Sequence, residues 1–151
     1  MKSVRNHELV DDIINACTGT IGRESAANGI RALCRTFGGQ SLLIPQHKMD
    51  GQCAEKILSV LEDEIGGADA RTVFGKLVAF YSGTLQYIPL ERCGFRRDIA
   101  VEIYATLNNG STAADFCRKY TISNTQVYRL WRVGQRLHID EVSPRLGFDR
   151  D

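Results

Sequence analysis

The sequence predicts a mainly α-helical chain with two short strands. Three observations predict it. Apolar residues recur at spacings of three and four along most of the chain, the period of a helix with one buried face. Two short strand-prone runs, SLLIP at 41–45 and LQYIP at 85–89, come soon after glycine and stop at proline. Residues 111–134, STAADFCRKYTISNTQVYRLWRVG, hold two helical windows joined by only a few residues.

The chain has 151 residues, enough for one ordinary domain or two small ones. Apolar residues make up 43% and charged residues 25%, which suits a soluble globular protein. No apolar run is long enough to span a bilayer, and no membrane partner is expected. The opening MKSVRNHELVDD has no apolar stretch of the kind a secretory signal needs. The five cysteines, Cys17, Cys34, Cys53, Cys93 and Cys117, are odd in number and widely spaced. That argues against a disulfide framework and against zinc, and for mostly buried thiols in a reducing cytoplasm.

Four helices are expected in the first half. Residues 5–16 place Leu9, Ile13 and Ile14 inward. Residues 24–37 carry a stripe of Ala27, Ile30, Leu33, Cys34 and Phe37, ended by Gly38 and Gly39. Residues 50–65, with Asp50 as a cap, turn Cys53, Ile57, Leu58, Leu61 and Ile65 inward. Residues 69–81 do the same with Val73, Phe74, Leu77, Val78 and Tyr81. Within this half LCRTFGGQSLLIP at 33–45 aligns without a gap to LVAFYSGTLQYIP at 77–89, and a looser match continues from AEKILSVL to AVEIYATL. This points to an internal duplication of a helix–strand–helix module. A four-residue strand cannot satisfy its own backbone, so Leu42, Leu43 and Ile44 should clasp Leu85, Gln86, Tyr87 and Ile88 antiparallel, within one chain or between two. Pro45 and Pro89 stop the strands.

The second half is basic. Residues 91–136 carry eight Lys/Arg against four Asp/Glu, while residues 1–90 carry nine against ten and residues 137–151 two against four. Such a block is the electrostatic footprint of a polyanion partner. A helix over about 95–107 buries Phe95, Ile99, Ile103 and Leu107 and ends at Asn108, Asn109 and Gly110. Thr112 with Asp115, and Ser123 with Gln126, read as two capping boxes. Ala113, Phe116, Cys117 and Tyr120 form the inner face of the first short helix, Ile122 plugs the turn, and Val127, Leu130 and Trp131 form the inner face of the second. This is the pattern of a helix-turn-helix, with Thr121 where glycine is usual. The outward residues suit double-stranded DNA. Asn124, Thr125, Gln126, Tyr128 and Arg129 stand where base edges are read, since Asn and Gln bridge adenine and Arg forks onto guanine. Arg118, Lys119, Arg132 and Arg136 are placed for phosphate.

Residues 74–133 resemble the Mor/C family of phage middle and late transcription activators. The matching positions are Gly83, Tyr87, Ile88 and Pro89, then Arg97 and Asp98, then Asn109 and Gly110, then Phe116, Cys117, Tyr120, Ile122, Ser123, Val127 and Tyr128. Thr121 departs from the family's glycine. The resemblance implies a homodimer built by the N-terminal region, with one helix-turn-helix per subunit, that binds an imperfect inverted repeat and recruits bacterial RNA polymerase to a phage or prophage promoter. It also puts Arg96 and Arg97 at the edge facing DNA. The expected architecture is thus mainly α: a helix–short strand–helix dimerisation region at 1–90, a helix-turn-helix DNA-binding domain at 91–136 and an acidic tail at 137–151. No catalytic motif, cofactor motif or metal-ligand spacing is found, and His7, His47 and His138 are scattered, so no enzyme, cofactor or metal is expected. The rival reading is a protein-binding adaptor or antirepressor that uses the helical faces without reading DNA.

Overall fold

The computed structural model describes residues 8–46 and 51–142. His7, His47, Asp50 and residues 143–151 of the expected tail lie outside the described residues. The chain is mainly α-helical with one two-stranded antiparallel sheet. It divides into two compact units, Met1–Gly94 and Phe95–Asp151. No helix among the described residues is long and apolar enough to cross a membrane.

The first unit runs α1 (Glu8–Ile21), α2 (Arg23–Phe37), β1 (Gln40–Leu43), α3 (Gly51–Ile65), α4 (Gly67–Tyr81), β2 (Leu85–Ile88) and the single turn α5 (Glu91–Gly94). Shifting residue numbers by 44 carries α2 onto α4, with both ends matched, and the end of α1 onto the end of α3. The repeat is therefore helix–helix–strand. It is longer than the expected match and begins upstream of it, and AVEIYATL belongs to the other unit. Ile13, Ile21, Gly22, Ala26, Leu33, Gly39, Ile44 and Pro45 recur unchanged as Ile57, Ile65, Gly66, Ala70, Leu77, Gly83, Ile88 and Pro89. Burial obeys the same shift. Val10, Ile13, Ile14 and Cys17 of α1 are buried, as are Ala54, Ile57, Leu58 and Leu61 of α3. The helices of each pair are separated by a glycine at φ 83°, Gly22 in one and Gly66 in the other, a left-handed setting that a side chain resists. The contacts respect the repeat too, since α1 packs on α2 and α4 while α3 packs on α4 and α2.

The two strands pair with each other within the chain. Leu42 faces Gln86, flanked by Ser41 with Tyr87, Leu43 with Leu85 and Gln40 with Ile88. The 44-residue shift turns Leu42 into Gln86, so this central pair marks a pseudo-twofold axis. Bonds outside the strands obey it. Gly39 N–H donates to the Ile88 carbonyl at 2.8 Å, and Gly83 N–H donates to the Ile44 carbonyl at 2.8 Å. Pleating buries Ile44 and Ile88 on one face. It leaves Leu43, Leu85 and Tyr87 on the other, 49%, 68% and 43% exposed.

Several inward assignments change. The first helix continues past residue 16 to Ile21, because Cys17 extends its buried stripe. Cys53 is exposed rather than inward, as is Cys93, and Ala54 takes the buried position instead. Ala27, Phe37, Ile65, Val78 and Tyr81 are only half-buried. Cys17 and Cys34 are the two buried thiols, and burial pushes the Cys34 thiol up to about 12. The unit ends after Gly94 because α5 packs on α2, where Arg31 Nη2 meets Glu91 Oε1 at 2.9 Å.

The described residues of the second unit form three helices, α6 (Arg96–Thr106), α7 (Ala113–Tyr120) and α8 (Asn124–Val142). Its core is Phe95, Ile99, Ala100, Ile103, Leu107, Phe116, Tyr120, Ile122, Val127 and Leu130, largely as the periodicity predicts, while Ala113, Cys117 and Trp131, expected on the inner faces, are only half-buried. The break after α6 uses positive φ at Asn108 (61°) and Gly110 (108°). Residues 137–142, expected to open an acidic tail, continue α8 instead. Gly134 does not end that helix. It lets α8 cross α6 closely: a Cβ there would lie 2.2 Å from the Ala100 carbonyl oxygen.

Candidate functional site

The site is built from the α7–α8 pair. Thr112 Oγ1 accepts the Asp115 N–H at 3.3 Å, and Asp115 Oδ2 accepts the Thr112 N–H at 2.8 Å. These bonds, with Arg118 beside them, hold the Asp115 carboxyl below the usual carboxylate range. The second capping box is also made. Ser123 Oγ accepts the Gln126 N–H at 3.2 Å, and Gln126 Oε1 accepts the Ser123 N–H at 3.0 Å. Between them Thr121 sits at φ 55°, ψ 53°, the left-handed turn conformation expected of the position it occupies. Ile122 and Val127 fill the space between the helices.

α8 then divides by face. Val127 and Leu130 are buried, and Trp131 is half-buried against Tyr104 of α6, with ring centroids 5.5 Å apart. His138 stacks on the same tyrosine at 5.3 Å. Thr125, Tyr128, Arg129, Arg132 and Arg136 recur at three and four and form one exposed stripe. Tyr128 is 51% exposed. Arg129, Arg132 and Arg136 make no ion pair among the described residues. Arg96 and Arg97, in the first turn of α6, are likewise exposed and without an ion pair among the described residues.

The other expected contact residues are already engaged. Asn124 Oδ1 accepts from Cys117 Sγ at 3.2 Å, which ties its amide back to α7. The Gln126 amide oxygen is held in the capping box. Arg118 Nη2 lies 2.8 Å from Asp115 Oδ1. Lys119 Nζ donates to Glu102 Oε1 at 2.7 Å, a bond that raises its pKa, and the Tyr120 hydroxyl donates to the other oxygen of the same carboxylate. Glu102 and Gly134 were missed by sequence reasoning. Glu102 had a signal, as one of only four acidic residues in the basic block. Gly134 had none beyond its being a glycine inside a helical pattern. The strand residues Leu42, Leu43, Ile44, Leu85, Gln86, Tyr87 and Ile88 are brought together in the first unit, as the clasp expected.

The arrangement therefore offers a rigid, doubly capped pair of helices with a polar and cationic stripe on the second. The stripe's arginines are free to meet an anionic partner. Comparison with protein-family models, with curated proteins and with solved structures finds no match.

Proposed function

We propose that α6, α7 and α8 form a helix-turn-helix DNA reader and that the protein is a sequence-specific regulator of transcription. One observation carries the reading: the exposed stripe of Arg129, Arg132 and Arg136, unpaired among the described residues, beyond a capped helix start. In this reading the N-terminal half of α8 enters the major groove. Arg129 forks onto guanine, with Thr125 and Tyr128 beside it. Arg132, Arg136, Arg96 and Arg97 meet phosphates. Asn124 and Gln126 move from base reading to building the turn, because their amide oxygens are already used. Arg118 and Lys119 would have to exchange a carboxylate for phosphate, which makes them the weaker contacts. The resemblance to the Mor/C activators supports activation by recruitment of bacterial RNA polymerase at a phage or prophage promoter.

The test is a gel-shift series with duplexes selected from a random pool, at several salt concentrations. A DNA reader should select a sequence and lose affinity steeply as salt rises, because each neutralised phosphate releases counterions. Absence of any retarded complex at low salt would remove the reading. A protein-binding adaptor or antirepressor is the second reading. The exposed Leu43, Leu85 and Tyr87 on the open face of the sheet favour it.

A further inference from the structure

We infer that the first unit is a pseudo-dimer closed within one chain, so that the protein works as a monomer with a single reader and recognises one block of duplex that has no inverted repeat. The inference rests on the DNA reading above and names the kind of site that reader takes.

The sheet carries most of the weight. Two short strands that pair antiparallel about a twofold axis are what two identical subunits would make, each contributing one strand. Here both strands belong to one chain, and the residues that meet at the axis, Leu42 and Gln86, are the same position of two repeats. The matched bonds from Gly39 and Gly83 show that each repeat supplies to the other what a partner subunit would supply. The backbone bonds of the clasp are therefore already made, and no second chain is needed to complete them.

The two repeats lead into different elements. After Pro89 the chain enters α5 and then the α6–α8 unit. After Pro45 it leads only to α3, the first helix of the second repeat. The pseudo-twofold thus doubles the clasp but not the reader. A palindromic operator mirrors a protein twofold that carries two readers, with half-sites about one helical turn apart. A twofold that carries one reader has nothing to place on the second half-site. The homodimer implied by the family resemblance is the alternative that the experiment separates.

The experiment uses the full chain. Its mass is measured by sedimentation over a wide concentration range, alone and on duplexes selected from a random pool. The expected result is a monomer when free, one chain per duplex, and an enriched motif without inverted symmetry. A duplex built with that motif twice, as an inverted repeat, should take up two chains with no gain in affinity over the single motif. Two chains on each selected duplex, or an enriched inverted repeat with half-sites one helical turn apart, would overturn the inference and leave DNA reading intact. Enrichment of no sequence at all would defeat DNA reading, and this inference with it.

Discussion

The two units use opposite devices. In the first, most of the architecture occurs twice: two helix pairs, two left-handed glycines between them and two strands that pair with each other, with Leu43, Leu85 and Tyr87 left on the sheet's open face. In the second nothing repeats, and the most distinctive feature, the arginine stripe of α8, points outward. Internal symmetry is a way of finishing a surface, because each repeat covers what the other would leave open. A unit without it keeps one face open, and that face is the natural place for a partner.

The largest expected effect comes from breaking the clasp at its axis. The Ile44 N–H bonds the Thr84 carbonyl at 2.9 Å, so residues 44 and 84, 42 and 86, and 40 and 88 are the hydrogen-bonded pairs of the ladder. Gln86→Pro removes a central donor and should cost roughly 3 kcal/mol or more, the scale of an interior proline. Tyr87→Pro should cost far less, because the Tyr87 N–H points to the free edge. Urea denaturation monitored by circular dichroism compares the two. Equal losses would mean that the ladder is not built in this register.

Next comes a pair of glycines, one in each unit. A Cβ at Gly134 would sit 2.2 Å from a backbone carbonyl oxygen and 2.7 Å from the Tyr104 Cβ. Neither can yield without moving α6 away from α8. Gly134→Ala should therefore destabilise the second unit by about 1–3 kcal/mol despite the better helix propensity of alanine. A Cβ at Gly29 would meet only the tips of Ile65 at 2.9 Å and Leu61 at 3.2 Å. These flexible ends can turn aside, so Gly29→Ala should be close to neutral. Thermal melts of the two variants measure the contrast, and a neutral Gly134→Ala would show that α6 and α8 do not cross this closely.

The open face of the second unit is tested by its arginines. Arg129→Ala should lose about 1–3 kcal/mol at the selected site and relax preference at one base pair. Arg132→Ala and Arg136→Ala should weaken binding to all sequences alike and flatten the salt dependence by about one unit each. Arg118→Ala should do so less, since its charge is already offset by Asp115. Binding isotherms at several salt concentrations read all four. A larger salt effect from Arg118 than from Arg132 would reverse the assignment of the face.

Apart from the single turn α5 and the last turn of α1, the helices and both strands were legible in the sequence from their apolar period and from local start and stop signals: Gly38 and Gly39, Pro45 and Pro89, Thr112 and Ser123. Both capping boxes were read from spacing alone, since the chemistry that makes them is local. What was not legible was what depends on packing at a distance. The frame of the repeat was misplaced because α1 and α3 share apolar pattern more than identity; Cys17 stands where α3 has Leu61. The role of Gly134 was not legible because only the contact with Ala100 explains it. The engagement of Asn124 and Lys119 was hidden for the same reason: an outward position in the helical period does not show whether a neighbour already holds the side chain.

Thr121 is where local and distant effects can be weighed against each other, and it carries the smallest expected change. The left-handed backbone at φ 55° suits glycine and costs a β-branched residue about 1–2 kcal/mol. Glycine also loses more chain freedom on folding, which returns roughly 0.5–1 kcal/mol of that gain. Thr121→Gly should then raise the stability of the second unit by at most about 1.5 kcal/mol. The same change in the first unit has no counterpart, because its left-handed positions at Gly22, Gly39, Gly51, Gly66 and Gly83 already hold glycine. Chemical denaturation of Thr121→Gly, with Thr121→Ala as the control that keeps a Cβ in the strained setting, measures the balance. A gain with glycine and none with alanine would assign the cost to the backbone; a loss with both would mean that the threonine side chain contributes more to the turn than its conformation takes away.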